Sequence, residues 1–334
     1  MLKVQDLTYT RFRVILRFLP LRISQLSVMN KRAKMNNMGF QKRTLLHKER
    51  MTQQTLFPVR PKGQLLKWVG NKYKYAHIIT SYFPVRYKKY IEPFVGTGAI
   101  LATLAPQKGI AGDILTPLIE IWKLLQNESH TLIDYYAEVI LRFNKDREET
   151  YSEILKKYNS SPNGLDLLIL SRTCYGGVVR FTREGTMSTP IGPHKPISPE
   201  TFASRVMEWR ERVKNAVFLN KPFVETISMA EEGDLVYCDP PYIDSQSILY
   251  GAQSFDFAEL IEQIRQCKSG GVRVALSIDG KKKSGAKTIK LEIPPGIFER
   301  EVYLSGGSSM LKRLQNGGKE MVGEDVHERL LLTW

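Results

Sequence analysis

Leu235-Val-Tyr-Cys-Asp-Pro-Pro-Tyr242 is the stretch on which the fold turns. Its first four residues are largely apolar and read as a buried strand. Two consecutive prolines cannot donate to a sheet ladder, so the strand must stop at Asp239. A carboxylate, a stiff turn and an aromatic ring are thereby delivered to one sheet edge. An ionised Asp239 and the Pro240 carbonyl can accept from an exocyclic amino group, and Tyr242 offers a face on which a base can stack. The competing reading is a plain proline-rich strand end, with Tyr242 covering the edge of the core.

Far upstream, Tyr90-Ile-Glu-Pro-Phe-Val-Gly-Thr-Gly-Ala99 ends a second strand in a glycine turn, where backbone NH groups can approach a ligand. Leu101 stands where a dinucleotide fingerprint needs its third glycine, which argues against a nicotinamide cofactor. Gly109-Ile-Ala-Gly-Asp113 reads as a further short strand ending in an acid. Asp113 is placed either to meet ribose hydroxyls or to cap the helix announced by Pro117 and Leu118 to Leu125.

With Leu66-Lys-Trp-Val-Gly-Asn-Lys72, these motifs occur in the order Lys-Trp-x-Gly-x-Lys, Glu-Pro-Phe-x-Gly-x-Gly, Asp-Pro-Pro-Tyr. From about Gln64 to the C-terminus the chain resembles the DNA adenine methyltransferases of the Dam type, the alpha class. The resemblance implies an α/β fold: a mixed, mostly parallel Rossmann-like methyltransferase sheet with an inserted, mainly helical target-recognition lobe. It implies site-specific transfer of a methyl group from S-adenosylmethionine to adenine N6 in double-stranded DNA, by base flipping and without a metal. Asp239, Pro240, Pro241 and Tyr242 would be catalytic. Trp68, Gly70, Lys72, Glu92, Phe94, Gly96, Gly98, Asp113, Phe223 and Asp239 would hold the methyl donor, with Lys72 near its carboxylate and Trp68 packed close by. From spacing alone a helix would instead put Trp68 in the core and Lys72 in solvent. Pro222 stands where relatives carry an acid beside Phe223, and Glu225 is the nearest substitute. A cytosine-N4 or RNA adenine methyltransferase, or a catalytically silent DNA-binding relative, are the alternatives.

Residues 127–215 change character, with charged helical stretches such as Asp146 to Lys157 and a Ser-Ser-Pro-Asn-Gly turn at 160 to 164, and read as a separate target-recognition lobe. Within it, aromatics, glycines and arginines between Leu170 and Gly185 suit phosphate and base-edge contacts. Arg172, Tyr175, Arg180, Arg183 and Lys195 are the DNA-contacting candidates, against the plainer reading of Arg180 and Arg183 as exposed hairpin charges. Gly176 stands where many relatives have Asn. Ser198-Pro-Glu opens a helix with Trp209 toward its end, and Ala216 to Asn220 returns the chain to the sheet. Phe255 to Gln266 reads as a helix, Val272 to Ile278 as a buried strand and His327 to Trp334 as the last strand. The catalytic domain then comprises 60–126 and 216–334, with 1–55 as a basic leader.

The chain has 334 residues, 42% of them hydrophobic, enough for a substantial core, and a net charge of +15. Twelve Lys/Arg against two Asp/Glu in residues 1–50 put +10 of that in the leader. Arg17, Pro20 and Arg22 interrupt its apolar run Val14 to Leu26, so it is neither a spanning helix nor a clean secretory core. It is either a basic arm on DNA phosphates or a dispensable solvated tail ahead of Met51. Three cysteines without paired spacing point to a reducing, cytoplasmic setting, and five scattered histidines give no zinc pattern. The expected partners are double-stranded DNA and, in a restriction system, a cognate endonuclease, with no membrane and a monomeric or weakly dimeric state.

Overall fold

Seven strands, β1 (Tyr90–Glu92), β2 (Gly109–Asp113), β3 (Ala216–Asn220), β4 (Leu235–Cys238), β5 (Arg273–Asp279), β6 (Arg300–Ser305) and β7 (His327–Leu332), form one sheet in the order β3-β2-β1-β4-β5-β7-β6. The computed structural model describes residues 58–182, 184–241, 255–279, 293–305 and 327–334, with Asp279, Ser305 and His327 as backbone only. The leader, Arg183 and Tyr242 lie outside the described residues. Strands β1 to β5 run parallel to one another, whereas β7 is antiparallel to both β5 and β6. The order reverses between β1 and β4, the place where an open parallel sheet leaves a crevice beyond its strand ends.

Every residue of β1 and β4 is buried, as expected of strands covered on both faces. Side-chain alternation divides them. Tyr90, Leu235 and Tyr237 belong to one core, and Ile91, Val236 and Cys238 to another on the opposite face.

The helices are α1 (Ala76–Ser81), α2 (Ala99–Leu104), α3 (Thr116–Asn127), α4 (Ser129–Lys145), α5 (Arg147–Ser160), α6 (Gly164–Thr173), α7 (Pro199–Val213), α8 (Phe223–Ile227) and α9 (Phe257–Ser269). Local chemistry fixes several starts. Asp146 accepts from Glu149 N, Asn163 from Asp166 N, Ser198 from Thr201 N, and Asp256 from Ala258 N and Glu259 N.

The expectation of a separate lobe for 127–215 meets a different packing. Leu132, Tyr136, Phe202 and Trp209 share one apolar core with Tyr90 and Leu235 of the sheet. Trp122 of α3 stacks on Phe218 of β3 at 5.5 Å and on Trp209 of α7 at 5.8 Å. The apolar core of the insert is therefore continuous with the core on one face of the sheet.

The segment just before the first motif straps this insert down. The Trp209 indole donates to Gly63 O at 2.8 Å, Arg205 to Gln64 O at 2.9 Å and Arg172 to Leu65 O at 2.6 Å, while Leu65 and Leu66 are fully buried. Burying those two leucines is worth about 3–6 kcal/mol. A chain starting at Met51 should keep its melting temperature to within a few degrees, whereas one starting at Lys67 should unfold at ordinary temperature. Equal thermal stability of the two truncations would show that the strap is decorative.

Candidate active site

Three carboxylates reach one sheet edge for topological reasons. The register Tyr90↔Leu235 and Ile91↔Val236 sets the ends of β1 and β4 side by side, so Glu92 and Asp239 leave the sheet as neighbours. Strand β7 runs the other way, and its pairing Asp279↔Glu328 brings its amino end, with Glu328, to that same edge. Beyond the edge lies a cavity of about 470 Å³. Trp68, Gly70, Lys72, Glu92, Phe94, Gly96, Asp113, Phe223, Asp239, Pro240 and Pro241 all line it. Residues 170 positions apart in sequence are thus brought together; Gly98 lies just outside, in left-handed geometry as the N-cap of α2.

The segment from Trp68 to Lys72 is a turn, with Gly70 at φ 79°, and not the helix that spacing allowed. Lys72 accordingly does not face solvent: it is 4% exposed, its Nζ lying 2.7 Å from Asp239 Oδ1 and 3.4 Å from Glu328 Oε1 and donating to Gly70 O at 3.1 Å. A buried ammonium is tolerable only when paired in this way. Trp68 is buried beside it.

Glu92 is a second buried ionisable group in the site. Burial pushes its carboxyl up to about 8, the Tyr90 hydroxyl donating to it at 2.7 Å pulls in the opposite direction, and the Asp239 charge adds a further upward push. The protonated form dominates at neutral pH. Because the folded value lies above the unfolded one, the stability Glu92 contributes is full below about pH 4.5 and is lost as pH rises through about 8. Glu92→Gln should therefore flatten the fall of stability between these limits, a slope of up to about 1.4 kcal/mol per pH unit. Chemical denaturation across that range measures it, and an unchanged slope would remove Glu92 as its source.

The glycine turn after β1 is shaped for close approach. Gly96 sits at φ 46°, and a Cβ there would meet no atom within 4 Å, so the backbone is bare on its cavity side. Its carbonyl accepts from the Trp122 indole at 3.1 Å, and its NH donates to Asp113 Oδ2 at 3.2 Å. Asp113 also accepts from Leu115 N at 3.0 Å, so one carboxylate ties the glycine turn to the entry of α3 while bordering the cavity. Phe94 stacks on Phe223 at 5.2 Å, and Phe255 meets the two edge-on at 5.8 and 5.7 Å, an apolar wall suited to a planar ring. Pro222 and Glu225 line the same wall, with Glu225 paired to Lys221 at 2.6 Å.

The insert places its basic residues unequally. Residues 180–182 and 186–188 pair as the two arms of a short hairpin, Ser188 N donating to Arg180 O and Thr182 N to Thr186 O. Arg180 is half-buried on its arm, and Tyr175 and Lys195 are exposed. Gly176 adopts φ 64°, the left-handed conformation that asparagine also tolerates, so Gly for Asn preserves the turn. Arg172 departs from the expectation of a DNA contact. It is 3% exposed, donates to Gln64 O and Leu65 O, and lies over the Tyr136 and Phe202 rings.

Residues 68–299 match the family model of the D12 class N6 adenine-specific DNA methyltransferases. This chain belongs to that family. Among curated members and relatives, a DNA adenine methylase of Vibrio cholerae is 30% identical over 182 residues, covering 53% of this chain and 64% of the relative. The retron Ec67 DNA adenine methylase of Escherichia coli is 30% identical over 185 residues, 53% of this chain and 63% of its own. The DNA N-6-adenine-methyltransferase of Escherichia phage P1 is 29% identical over 231 residues, 65% of this chain and 30% of its own. The match thus spans somewhat under two-thirds of the first two relatives. A solved rRNA methyltransferase, aviRa from Streptomyces viridochromogenes, overlaps 73% of this chain and 75% of its own at 11% identity and a TM-score of 0.29.

Within this D12 chain, Phe255 and Glu328 are among the residues at the site that carried no motif signal. Phe255 lies just ahead of the Asp256 cap of α9, and Glu328 is a single acid at the head of a leucine-rich strand. Among the described residues no group of three or more His, Cys, Asp or Glu is arranged to hold a metal ion, and no helix is long and apolar enough to cross a membrane.

Proposed function

We propose that this chain is an S-adenosylmethionine-dependent methyltransferase that modifies adenine N6 in double-stranded DNA. The observation that carries the reading is the convergence of Asp239, the bare glycine turn at Gly96 and the phenylalanine wall on one cavity at the switch point of the sheet. The residues fit the donor. Gly96 leaves backbone open to close approach, Asp113 stands at the end of β2 where ribose hydroxyls would be met, and Phe94, Phe223 and Phe255 suit its adenine ring. Bound S-adenosylmethionine would supply a methyl group on a positively charged sulfonium.

Everything else falls to the protein. The amino lone pair of adenine is delocalised into its ring and is a poor nucleophile. Asp239 and the Pro240 carbonyl accept the amino hydrogens and favour the pyramidal nitrogen whose lone pair can attack. Lys72 keeps Asp239 anchored at 2.7 Å. Tyr242 stacks on the flipped base and offsets part of the few kcal/mol of unstacking. Tyr175, Arg180, Arg183 and Lys195 contact the duplex, and Arg172 has no place in that set because it is buried. The same reading carries a cytoplasmic monomer or weak dimer, partnered by a cognate endonuclease if it serves restriction.

Unmethylated plasmid incubated with protein and donor, then digested to nucleosides, should yield N6-methyladenine at a defined sequence. N4-methylcytosine as the product, or modification of RNA alone, would overturn the assignment of the base or of the nucleic acid. Donor binding without any methyl transfer would point to a silent DNA-binding relative.

A further inference from the structure

Glu328 belongs to no sequence motif, yet the fold spends a buried charge on it. It is 8% exposed, at the head of β7, with Oε1 3.4 Å from Lys72 Nζ. The Lys72 ammonium has three N–H bonds, and Gly70 O, Glu328 and Asp239 stand at 3.1, 3.4 and 2.7 Å. Two of these acceptors belong to fixed backbone or to a sheet strand, and the third is the side chain at the end of β4. Lys72 and Asp239 line the cavity, whereas Glu328 stands behind them and does not.

This geometry has a charge consequence. Lys72 and Asp239 alone would be neutral as a pair. Adding Glu328 gives the trio a net charge of −1 at one wall of the cavity. Because Lys72 and Glu328 are largely buried, such a charge acts over several ångströms in an environment less polar than water.

We propose that Glu328 is a positioning residue that holds Lys72 against Asp239 and keeps this wall anionic, so that the site favours a cationic ligand over its neutral counterpart. This rests on the reading of the cavity as the S-adenosylmethionine site. The sulfonium of the donor carries the positive charge, and S-adenosylhomocysteine, the product, differs by loss of the methyl group and of that charge. The wall thus favours the donor and helps product to leave. The two ligands are otherwise identical, so the change in their affinity ratio on substituting Glu328 reads the charge.

Calorimetric titration of both ligands into wild type, Glu328→Asp and Glu328→Gln tests this, with thermal melting as a check of folding. Glu328→Gln should lower the preference for donor over product roughly three- to tenfold, mainly through weaker donor binding. Glu328→Asp, which keeps the charge, should hold the ratio within about twofold. The double variant Lys72→Met/Glu328→Gln restores a net charge of −1 through Asp239 alone and should recover the preference, which a purely structural role for Glu328 does not predict. An unchanged ratio in folded Glu328→Gln, or equal losses for both ligands, would overturn the proposal. Wild-type protein that binds neither ligand would instead overturn the reading of the cavity itself.

Discussion

Asp239→Ala should reduce methyl transfer by about a thousandfold or more while leaving a folded protein. The effect has two separable parts. The chemical part is loss of the acceptor that orients the adenine amino group, at the end of a strand whose position is fixed by full burial of Leu235 to Cys238. The electrostatic part concerns Lys72, which loses its 2.7 Å partner but keeps Glu328 and the Gly70 carbonyl. Complete orphaning of a buried charge costs about 3–5 kcal/mol, and with two partners left the loss should be about 1–3 kcal/mol. Asp239→Asn separates the parts. It preserves shape and one acceptor oxygen but not the charge, and should lose about a hundredfold. Single-turnover labelling of duplex DNA, with denaturant unfolding of the same samples, reads both quantities. A folded Asp239→Ala protein with near-normal turnover would remove Asp239 from the chemistry.

The parts of the fold that were legible in the sequence are those governed by local rules. Gly109 to Asp113 and Ala216 to Asn220 are strands with the bounds their apolar runs suggest, and the two prolines after Asp239 end β4 where they must. Ser198 announced α7 as its cap, and the charged stretch from Asp146 to Lys157 falls within α5 and its cap. What was hidden depends on pairing over long separations. Glu328 reaches Lys72 only because β7 is inserted antiparallel between β5 and β6, a register that no local pattern encodes. The boundaries of the insert looked like lobe boundaries because its composition is charged. Its buried apolar side chains nonetheless join the core of the sheet, Trp209 stacking on Trp122, which in turn stacks on Phe218. Arg172 carried a readable signal that composition obscured. It lies in Gly164–Thr173, a helix buried all but for Leu165, and the apolar run Leu167 to Leu170 just ahead of it already points to the interior, so an arginine there is a core residue.

That reassignment makes Arg172 and Arg180 diverge under the same substitution. Arg172→Ala should destabilise the protein by about 3–5 kcal/mol, because it strips the donor from the buried Leu65 carbonyl and leaves a cavity beside Tyr136 and Phe202. Arg172→Met keeps the stem packed against those rings and loses only the hydrogen bonds, so about 1–3 kcal/mol is expected. Neither variant should change donor or DNA affinity at a temperature where it is folded. Arg180→Ala, on the hairpin arm, should leave stability within about 0.5 kcal/mol of wild type. Its DNA affinity should fall by about 1–3 kcal/mol, at one base position if the side chain reads a base edge, or evenly across sequences with a shallower salt dependence if it meets a phosphate. Thermal melts and binding titrations at two salt concentrations distinguish the two residues. An Arg172→Ala protein as stable as wild type would contradict the strap, and an Arg180→Ala protein with unaltered DNA binding would move the DNA-facing surface away from the hairpin.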